Sequence, residues 1–450
     1  MSVTINDIVA LCKRRGFIFT GSEIYGGMAG TYDYGPYGVE LMKNIRNSWW
    51  NAMVYMRDDI EGLDASQITN RLLWKYSGHE AGFSDPLVEC KKCGARMRQD
   101  KMQDPNKCDA CGSADLLPPR AYQLMMGLSI GAIAGGEINA YLRPETATTT
   151  YTNFKNVLDS TPHKLPFGIA QIGKAFRNEI SPRGFVFRMR EFEQAEMQYF
   201  VRPGEDAKYF AQWKKNRMAW WINEMGIPAE KLRFKPHEKL VFYAKAAEDI
   251  EYEFPDGFDE LEGVHNRQDY DLGSHTKAQD EFKINATVQK NTDSTTKLSY
   301  SDPQTGENFI PFVIETAMGV NRCMLAVMLN SYVEEEVPNG GRRIVLKLPL
   351  RLAPVKAAVI PLARNVPELA KLAEKIVKNL RKLGLGRIEL ENSGNIGKNY
   401  RRHDEIGTPI CITVDHQSLE DGTVTIRHRD DMSQERVAIA KIKNKVKSVF

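Results

Sequence analysis

The apolar positions near the N-terminus recur with the period of a helix. The segment INDIVALCKRRGF has this spacing, and a longer one, VELMKNIRNSWWNAMVY, follows a Gly- and Tyr-rich stretch. In the longer segment the residues four apart are Leu41, Ile45, Trp49 and Met53. Because such positions share one face of a helix, we predict an amphipathic helix that begins after Pro36.

From residue 141 to about 200 the pattern changes to alternation. The runs FGIAQIGKAFRNE and FVFRMREFEQAEMQYF, separated by SPRG, predict antiparallel strands around a turn. The segment 204–250, which contains KYFAQWKKNRMAWWINEMG, predicts a helical insert whose tryptophans pack in the interior. Further on, FIPFVIETAMGVNRCMLAVMLNSY predicts a strand, a tight turn and a helix.

The last hundred residues alternate between strand and helix patterns. VKAAVIPLA, PICITVD and GTVTIRHRD read as strands, VPELAKLAEKIVKNLRKLG as a helix, and the Lys-rich end as another helix. We therefore predict a separate α/β domain over 353–450. Residues 1–340 form the larger domain, with inserts at 88–118 and 204–250.

The composition limits the classes of protein to which the chain could belong, but it does not indicate a reaction. The chain has 450 residues, of which 42% are hydrophobic and 26% charged. We find no apolar run of membrane-spanning length and no basic-then-apolar leader, so we expect a cytoplasmic protein with no membrane partner. The net charge of +3 is too small to indicate nucleic acid by itself.

The clustered cysteines carry the strongest local signal. Cys90 and Cys93 form one CxxC pair, and Cys108 and Cys111 form another shortly afterwards. Two such turns can complete the tetrahedron of thiolates that zinc prefers, and with every ligand supplied by protein the ion would be structural. The alternatives are reduced structural cysteines without metal, or a redox pair.

One charged stretch, FRNEISPRGFVFRMREFEQAE (176–196), is too apolar for a solvated surface. Burying an unpaired ion costs several kcal/mol, so a site for a charged ligand explains it better than a core does. Arginines suit a polyphosphate, an aromatic ring suits a base, and a carboxylate suits an ammonium group. Even-numbered positions of the second strand share a face, which carries Arg188, Arg190, Phe192, Gln194 and Glu196. The alternative is a structural Arg–Glu network.

These residues carry a resemblance to a known family. The pattern FRxE, a loop, then RxxxFxxxE resembles motif 2 of the class II aminoacyl-tRNA synthetases, and GVNR (319–322) resembles motif 3. YGPYGVELMKNIRNSWW resembles motif 1, which builds the dimer interface in that family. The further segments YLRPETA, DIEYEF, ELEGVHNRQDYDL, GKNYRRHDEIGTP and DGTVTIRHRD resemble the glycyl-tRNA synthetases of the single-chain, homodimeric type.

The resemblance implies a fold, an activity and partners. The fold is α/β (α+β in its catalytic domain): an antiparallel class II core with a zinc-ribbon-like insert and a C-terminal anticodon-binding domain. The activity is that of a glycine–tRNA ligase, which uses ATP with Mg²⁺ to form glycyl-adenylate and then esterifies tRNA. The implied partners are glycine, ATP, a glycine-accepting tRNA and a second copy of the chain.

The resemblance also assigns roles to residues. Arg177, Glu179 and Arg322 are the expected catalytic residues. The expected ATP-binding residues are Arg177, Asn178, Glu179, Phe187, Arg188, Met189, Arg190, Glu191, Phe192, Glu260, Leu261, Gly319, Val320, Asn321 and Arg322. The expected glycine-binding residues are Arg98, Glu145, Phe192, Glu193, Gln194, Ala195, Glu196, Glu315, Thr316, Ala317, Met318 and Gly319. The positions that depart from the usual family pattern are Thr148, Thr149, Thr316, Ala317 and Asn321.

Other functions remain open at this point. Some synthetase-like proteins are non-enzymatic accessory or nucleic-acid-binding subunits, but these have lost the motif 2 and motif 3 residues that this chain keeps. A class II enzyme for another small amino acid, or one that loads a carrier other than tRNA, would keep them. The pair Arg401 and Arg402 in the C-terminal domain favours tRNA, although such pairs are commonly solvated surface residues.

Overall fold

The structure is a computed structural model that describes residues 3–132, 138–238, 244–337, 340–363 and 365–450. Its helices are α1 (Ile5–Arg15), α2 (Pro36–Trp50), α3 (Arg71–Tyr76), α4 (His79–Gly82), α5 (Ala147–Thr152), α6 (Phe154–Ser160), α7 (Asp206–Asn223), α8 (Tyr270–His275), α9 (Val320–Ser331), α10 (Pro367–Arg381), α11 (Ile396–Ile406), α12 (His416–Asp421) and α13 (Ile442–Lys447). Over these described ranges, no helix combines the length and the apolar composition needed to cross a bilayer.

In the described part of the chain, the first eleven strands lie before helix α7. They are β1 (Ile18–Thr20), β2 (Tyr32–Tyr34), β3 (Ile60–Gly62), β4 (Ile68–Asn70), β5 (Ser84–Glu89), β6 (Arg96–Arg98), β7 (Arg120–Gln123), β8 (Met126–Ile130), β9 (Ile138–Leu142), β10 (Phe167–Phe176) and β11 (Glu191–Val201). The remaining strands are β12 (Leu232–Pro236), β13 (Ala246–Phe254), β14 (Gly257–Gln268), β15 (Tyr300–Ser301), β16 (Asn308–Phe309), β17 (Phe312–Gly319), β18 (Tyr332–Glu336), β19 (Arg342–Leu346), β20 (Ala357–Pro361), β21 (Ile388–Leu390), β22 (Ile410–Val414), β23 (Thr423–His428) and β24 (Gln434–Ala438).

The central sheet carries the site. Among the described residues its strand order is β12-β13-β14-β17-β11-β10-β3, antiparallel throughout except that β3 runs parallel to β10. One face packs on α2, α7 and α9 and forms the main core. The other face carries the polar side chains of the site, with a second hydrophobic cluster that includes Phe167, Phe200 and Val313 at one end. The predicted antiparallel core is confirmed.

The helix predicted after Pro36 is confirmed. Pro36 lies in the first turn of α2, where its missing N–H costs no hydrogen bond. The side chains predicted to share its apolar face are all buried: Leu41, Ile45, Trp49 and Met53. The junction predicted at GVNR is confirmed as well, because β17 ends at Gly319 and α9 begins at Val320.

The insert predicted at 204–250 is only partly helical, and that prediction is wrong for its second half. Helix α7 covers Asp206–Asn223, whereas Leu232–Pro236 is the edge strand of the central sheet and Ala246–Phe254 is the strand beside it. The edge strand and its neighbour add sheet area where a separate helical unit was expected. The tryptophans of α7 are packing residues as predicted, each at most 4% exposed.

The C-terminal region follows the predicted alternation. Strands β20 to β24 form a mixed sheet in the order β21-β20-β22-β23-β24, with α10 packed on one side. This sheet has its own hydrophobic core, which includes Val359, Ile376 and Ile412. Helix α11 packs on β19, and its Ile406 joins the main core of the N-terminal region.

Candidate active site

The loop between β10 and β11 differs from the sequence prediction. Strand β10 ends at Phe176 and β11 begins at Glu191, so Arg188 and Arg190 precede the strand and do not extend its even-numbered face. The backbone of Arg190 bonds elsewhere: its N–H donates to Gly30 O at 2.8 Å, and its carbonyl accepts from Arg177 N at 2.8 Å. The loop therefore folds over the sheet edge, and the predicted register is wrong at these two arginines.

Arg177 lies between two aromatic rings. Its guanidinium carbon is 5.2 Å from the ring centroid of Phe192 and 5.2 Å from that of Phe83, and its Nε donates to Pro144 O at 3.0 Å. These contacts fix the position of the guanidinium between the two rings. Phe83 was not predicted, because nothing in the local pattern HEAGF marks it as a site residue.

Glu179 links the loop to the cysteine insert. Its side chain, 4% exposed, accepts a hydrogen bond from Arg188 Nε at 2.7 Å. Arg188 Nη2 is 3.9 Å from Asp85 Oδ2, and Arg98 Nη1 is 2.8 Å from the same oxygen. The structure thus brings Arg98, which is far away in sequence, to the motif 2 residues.

Other residues of the loop act through their backbone or through packing. Asn178 N donates to Leu124 O at 2.7 Å, and Met189 is buried in the main core. Arg190 donates to Ala29 O at 2.9 Å and to Glu179 O at 3.1 Å.

Arg322 occupies the other edge of the site. Its Nη1 donates to Glu260 O at 2.6 Å and lies 3.1 Å from Glu260 Oε2, and its guanidinium carbon is 4.2 Å from the centroid of Phe187. Burial opposes ionisation of Glu260, but Arg322 outweighs it, so the pKa of Glu260 is lowered. Leu261 and Val320 are buried core residues. Asn321 accepts from Glu193 N at 2.7 Å and donates to the hydroxyl of Tyr34.

The polar sheet face between these edges holds buried carboxylates. Glu196 accepts from Thr146 Oγ1 at 2.5 Å, and Glu145 accepts from Thr148 Oγ1 at 2.6 Å and lies 3.2 Å from His79 Nε2. Burial raises the pKa of Glu196 to about 8, and the charges of Glu315 and Glu145 add to the shift. Burial opposes ionisation of Glu145 too, but His79 outweighs it and the pKa of Glu145 is lowered.

Glu315 is the most heavily bonded of these carboxylates. It accepts from Gln198 Nε2 at 2.9 Å and from Tyr151 OH at 3.2 Å, and it lies 2.8 Å from His265 Nδ1. Arg267 Nη1 is 3.2 Å away. Although burial works against ionisation, Arg267 and His265 together lower the pKa of Glu315 to about 2.

The alternation of side chains along each strand places the predicted glycine-binding residues on two opposite faces of the sheet. Glu315, Ala317 and Gly319 alternate along β17 on the polar face, whereas Thr316 and Met318 are buried on the other. On β11, Phe192, Gln194 and Glu196 share the polar face. The structure places Ala195 in the main core and pairs both oxygens of Glu193 with Arg46. The prediction that glycine binds to the side chains of Glu193, Ala195, Thr316 and Met318 is therefore wrong, because these side chains do not line the carboxylate pocket.

Some residues of this face were missed from the sequence. They are His79, Tyr151, Gln198, His265 and Arg267. The alternation of GVHNR along β14 could have placed His265 and Arg267 on one face. His79 and Tyr151 come from short helices elsewhere in the chain, and no periodicity would have indicated them.

The cysteine cluster forms as predicted. Cys90 follows β5, and the turns at both CxxC pairs close through Gly94 N to Cys90 O at 2.9 Å and Gly112 N to Cys108 O at 2.7 Å. Sγ atoms lie 3.7 Å apart in the pair Cys90–Cys111 and 3.6 Å apart in Cys93–Cys108, and all four lie within 4.8 Å of one another. This donor set and spacing fit a tetrahedral zinc ion.

Comparison with known proteins covers nearly the whole chain. Residues 134–332 match the family model of the class II tRNA synthetase core domain (G, H, P, S and T), and residues 356–449 match that of the anticodon binding domain. A glycine–tRNA ligase of Thermus thermophilus is 48% identical over 97% of both chains. Glycine–tRNA ligases of Deinococcus radiodurans and Borreliella burgdorferi are 47% and 45% identical over 97% or more of each chain.

The site geometry and these likenesses agree with the resemblance found in the sequence. Identity of this extent, with coverage of both domains, shows common descent over the full length of the chain and not a shared motif alone. The chain belongs to the glycine–tRNA ligase family of class II aminoacyl-tRNA synthetases.

Proposed function

We propose that this chain is an ATP-dependent glycine–tRNA ligase. A carboxylate oxygen of glycine attacks the α-phosphorus of ATP, the bond from that phosphorus to the bridging oxygen breaks, and pyrophosphate leaves. A terminal hydroxyl of tRNA then attacks the glycyl carbonyl, and AMP leaves. The observation that carries the proposal is the carboxylate pocket of the buried Glu196 and Glu315 and the partly buried Glu145, beside the arginines of motifs 2 and 3.

The arginines suit the polyphosphate. Arg177, held between Phe83 and Phe192, is placed for the α-phosphate, and Arg188 and Arg322 for the outer phosphates. Glu179 suits the adenine edge and Phe192 its face. Such a reaction depends on positioning and charge neutralisation more than on a dedicated base. Mg²⁺ bound with ATP would neutralise phosphate charge, and Glu260 is the carboxylate placed to hold it.

The pocket suits glycine because it is small and acidic. An ammonium group entering it favours the ionised form of Glu196, whose pKa is raised in the pocket without ligand. Thr148 donates to Glu145 and thereby orients one wall, whereas Ala317 contributes only a methyl group. Larger amino acids would be excluded by the crowding of these walls.

Membership of the family supports specific roles for the inserts, the two domains and a second copy of the chain. The cysteine cluster holds a structural Zn²⁺, residues 353–450 bind the anticodon region of tRNA, and residues 1–340 carry the chemistry. The chain acts as a cytoplasmic homodimer through its motif 1 region. Large apolar side chains near that region, which include Ile24, Tyr25 and Met56, are at least 74% exposed, as expected of a surface covered by a second copy.

Glycine-dependent ATP–pyrophosphate exchange tests the proposal. We expect exchange with glycine and little with alanine or serine, and we expect Glu196→Gln to reduce it strongly. The matched control is Glu205→Gln, at an exposed carboxylate shortly after the same strand. Exchange with alanine or serine but not glycine would refute the substrate. No exchange with any amino acid would favour an accessory subunit, which the ligase relatives do not favour.

A further inference from the structure

A second group of metal-ligating side chains lies beside the carboxylate pocket. His237 follows β12, Asp249 lies in β13 and His265 lies in β14, so adjacent parts of the sheet bring them together. One potential ligand atom from each lies within 4.8 Å of the others. None of these side chains has a role in the proposed reaction.

His265 presents its second ring nitrogen to the cluster. Its Nδ1 is 2.8 Å from Glu315 Oε1, and Arg267 Nη1 lies 3.2 Å from the same oxygen, so Glu315 presents an acceptor to the ring. The hydrogen-bond network therefore assigns the proton to Nδ1 and leaves a lone pair on Nε2. The ring lies over Gly263, where an added Cβ would be 2.5 Å from Cε1 and 3.0 Å from Nε2. Since Gly263 pairs with Asp249 in the sheet, Nε2 faces the other members of the cluster.

The imidazole of His237 lies against the carboxylate of Asp249. The backbone N–H of His237 donates to Ala247 O at 3.0 Å. Its Nε2 is buried and lies 2.9 Å from Asp249 Oδ1. A cation bound between this ring nitrogen and the carboxylate would satisfy both polar atoms.

We propose that His237, Asp249 and His265 bind a divalent first-row transition ion, with Zn²⁺ the best fit. Two imidazoles and a carboxylate are a donor set for zinc with an open fourth position. The His265–Glu315 hydrogen bond is the outer-shell contact that metal-ligating histidines normally make. Tetrahedral ligation needs ligand atoms about 3.3 Å apart, and His237 Nε2 and Asp249 Oδ1, 2.9 Å apart, are already that close.

Access also suits a cation. The side chains of His237, Asp249 and His265 are 29%, 18% and 16% exposed, which leaves a path for an ion to enter. A bound ion would hold His265 in place and, through it, orient Glu315 in the carboxylate pocket.

Metal content of the full-length protein tests the site without reference to glycylation. After equilibration with excess Zn²⁺ and gel filtration, the protein should retain one ion beyond the cysteine-bound one. His265→Ala and Asp249→Asn should each lose that ion, or weaken its binding roughly 100-fold, and keep the other. The matched control is His428→Ala, which removes a histidine 3.1 Å from a carboxylate but without a second imidazole. Equal zinc content in His265→Ala and the parent protein would overturn the proposal.

Diffraction from the unmodified protein guards against variants that misfold. Crystals grown with Zn²⁺ and measured above and below its absorption edge should show an anomalous peak within about 2.1 Å of ring nitrogens of His237 and His265. A peak at the cysteine cluster with none here would contradict the site. Either result is independent of whether the chain charges tRNA.

Discussion

Carboxylates of one pocket titrate differently because their nearest cations differ. Arg267 and His265 stabilise the charge of Glu315, and His79 stabilises that of Glu145, whereas the donor to Glu196 among the described residues is the neutral hydroxyl of Thr146. With its neighbours already charged, Glu196 holds its proton to about pH 8. The least stabilised carboxylate is thus the one that an entering ammonium group would affect most.

Glu196→Gln should change the pH dependence of stability. Glu196 has a folded-state pKa of about 8 against an ordinary value of 4.5, so the folded chain keeps a proton that the unfolded chain releases between these values. Its contribution to the free energy of unfolding therefore falls as pH rises from about 5 to 8, with a slope approaching 1.4 kcal/mol per pH unit. The Glu196→Gln variant has no titrating group at this position. Between pH 6 and pH 8 its free energy of unfolding should therefore rise relative to that of the parent protein by on the order of 2 kcal/mol.

Urea unfolding at both pH values measures this difference. Glu191→Gln, at an exposed position of the same strand, serves as the control and should follow the parent protein. A constant gap between Glu196→Gln and the parent would show that Glu196 is ionised throughout.

At the scale of elements, helix α7 is attached to the sheet by a buried ion pair. Arg217 Nε donates to Glu262 Oε1 at 2.6 Å, and Trp221 Nε1 donates to Glu262 Oε2 at 2.7 Å. Arg217 is 2% exposed and Glu262 is fully buried. Glu262 lies in β14 on the face opposite His265, so this pair supports the floor of the site from behind.

Arg217→Met should destabilise the chain much more than loss of a surface pair. Removing the arginine leaves an uncompensated buried carboxylate, which costs about 3–5 kcal/mol. Lys214→Met on the same helix breaks a partly exposed pair with Glu248 and should cost about 1 kcal/mol or less. Chemical denaturation measures both. If the double variant Arg217→Met, Glu262→Gln recovers most of the lost stability, the uncompensated carboxylate is the cause. Equal destabilisation by Arg217→Met and Lys214→Met would contradict this explanation.

The cysteine insert reaches the motif 2 loop through a chain of ion pairs. Arg98 at the end of β6 contacts Asp85, and Asp85 lies near Arg188. The position of Arg98 therefore depends on the fold of the insert.

Cys108→Ser should release the metal of the insert and lower the rate of glycine-dependent exchange, because Arg98 loses its fixed position. Metal analysis and exchange assays check the two effects. Cys411→Ser changes a buried cysteine of the C-terminal sheet and should leave this metal bound. Unchanged exchange after loss of the metal would show that the insert does not support the site.

At the scale of the molecule, the C-terminal domain is joined to the rest by buried contacts. Asp404 of α11 accepts from Arg343 Nη1 at 3.1 Å and from Arg427 Nη1 at 2.8 Å. Arg402 donates to Glu391 and to the hydroxyl of Tyr37, so it is a residue of the domain interface. That the pair Arg401 and Arg402 contacts tRNA stays a prediction: Arg401 is exposed, whereas Arg402 is partly buried at this interface.

A test of tRNA binding should accordingly use the full chain. Arg401→Glu with Lys398→Glu reverses two exposed charges on α11 and should reduce the rate of tRNA charging while leaving glycine-dependent exchange unchanged. Lys382→Glu, an exposed change on the same domain, is the control. A loss of both activities would indicate structural damage, and no loss of either would exclude this face of α11 from tRNA binding.

The sequence predicted helices and strands correctly where a single hydrophobic periodicity continued without interruption. The face of α2, the junction at Gly319 and the α/β pattern after residue 352 all formed as expected. It failed at Arg188 and Arg190, where backbone bonds to Gly30 and Arg177 end the alternation. It also failed at Leu232–Pro236, whose strand pairing depends on a partner later in the chain.

The sequence by itself determined the family, the cysteine cluster and the residues of the motifs, because these depend on residue types at fixed local spacings. Only the tertiary structure decided which side chains share the pocket and how each is charged. His79, Tyr151 and Arg267 come from separate elements, and the pKa of Glu196 depends on Glu145 and Glu315, which lie far from it along the chain. Burial and charge act through space, so no local pattern could have indicated how these carboxylates are charged.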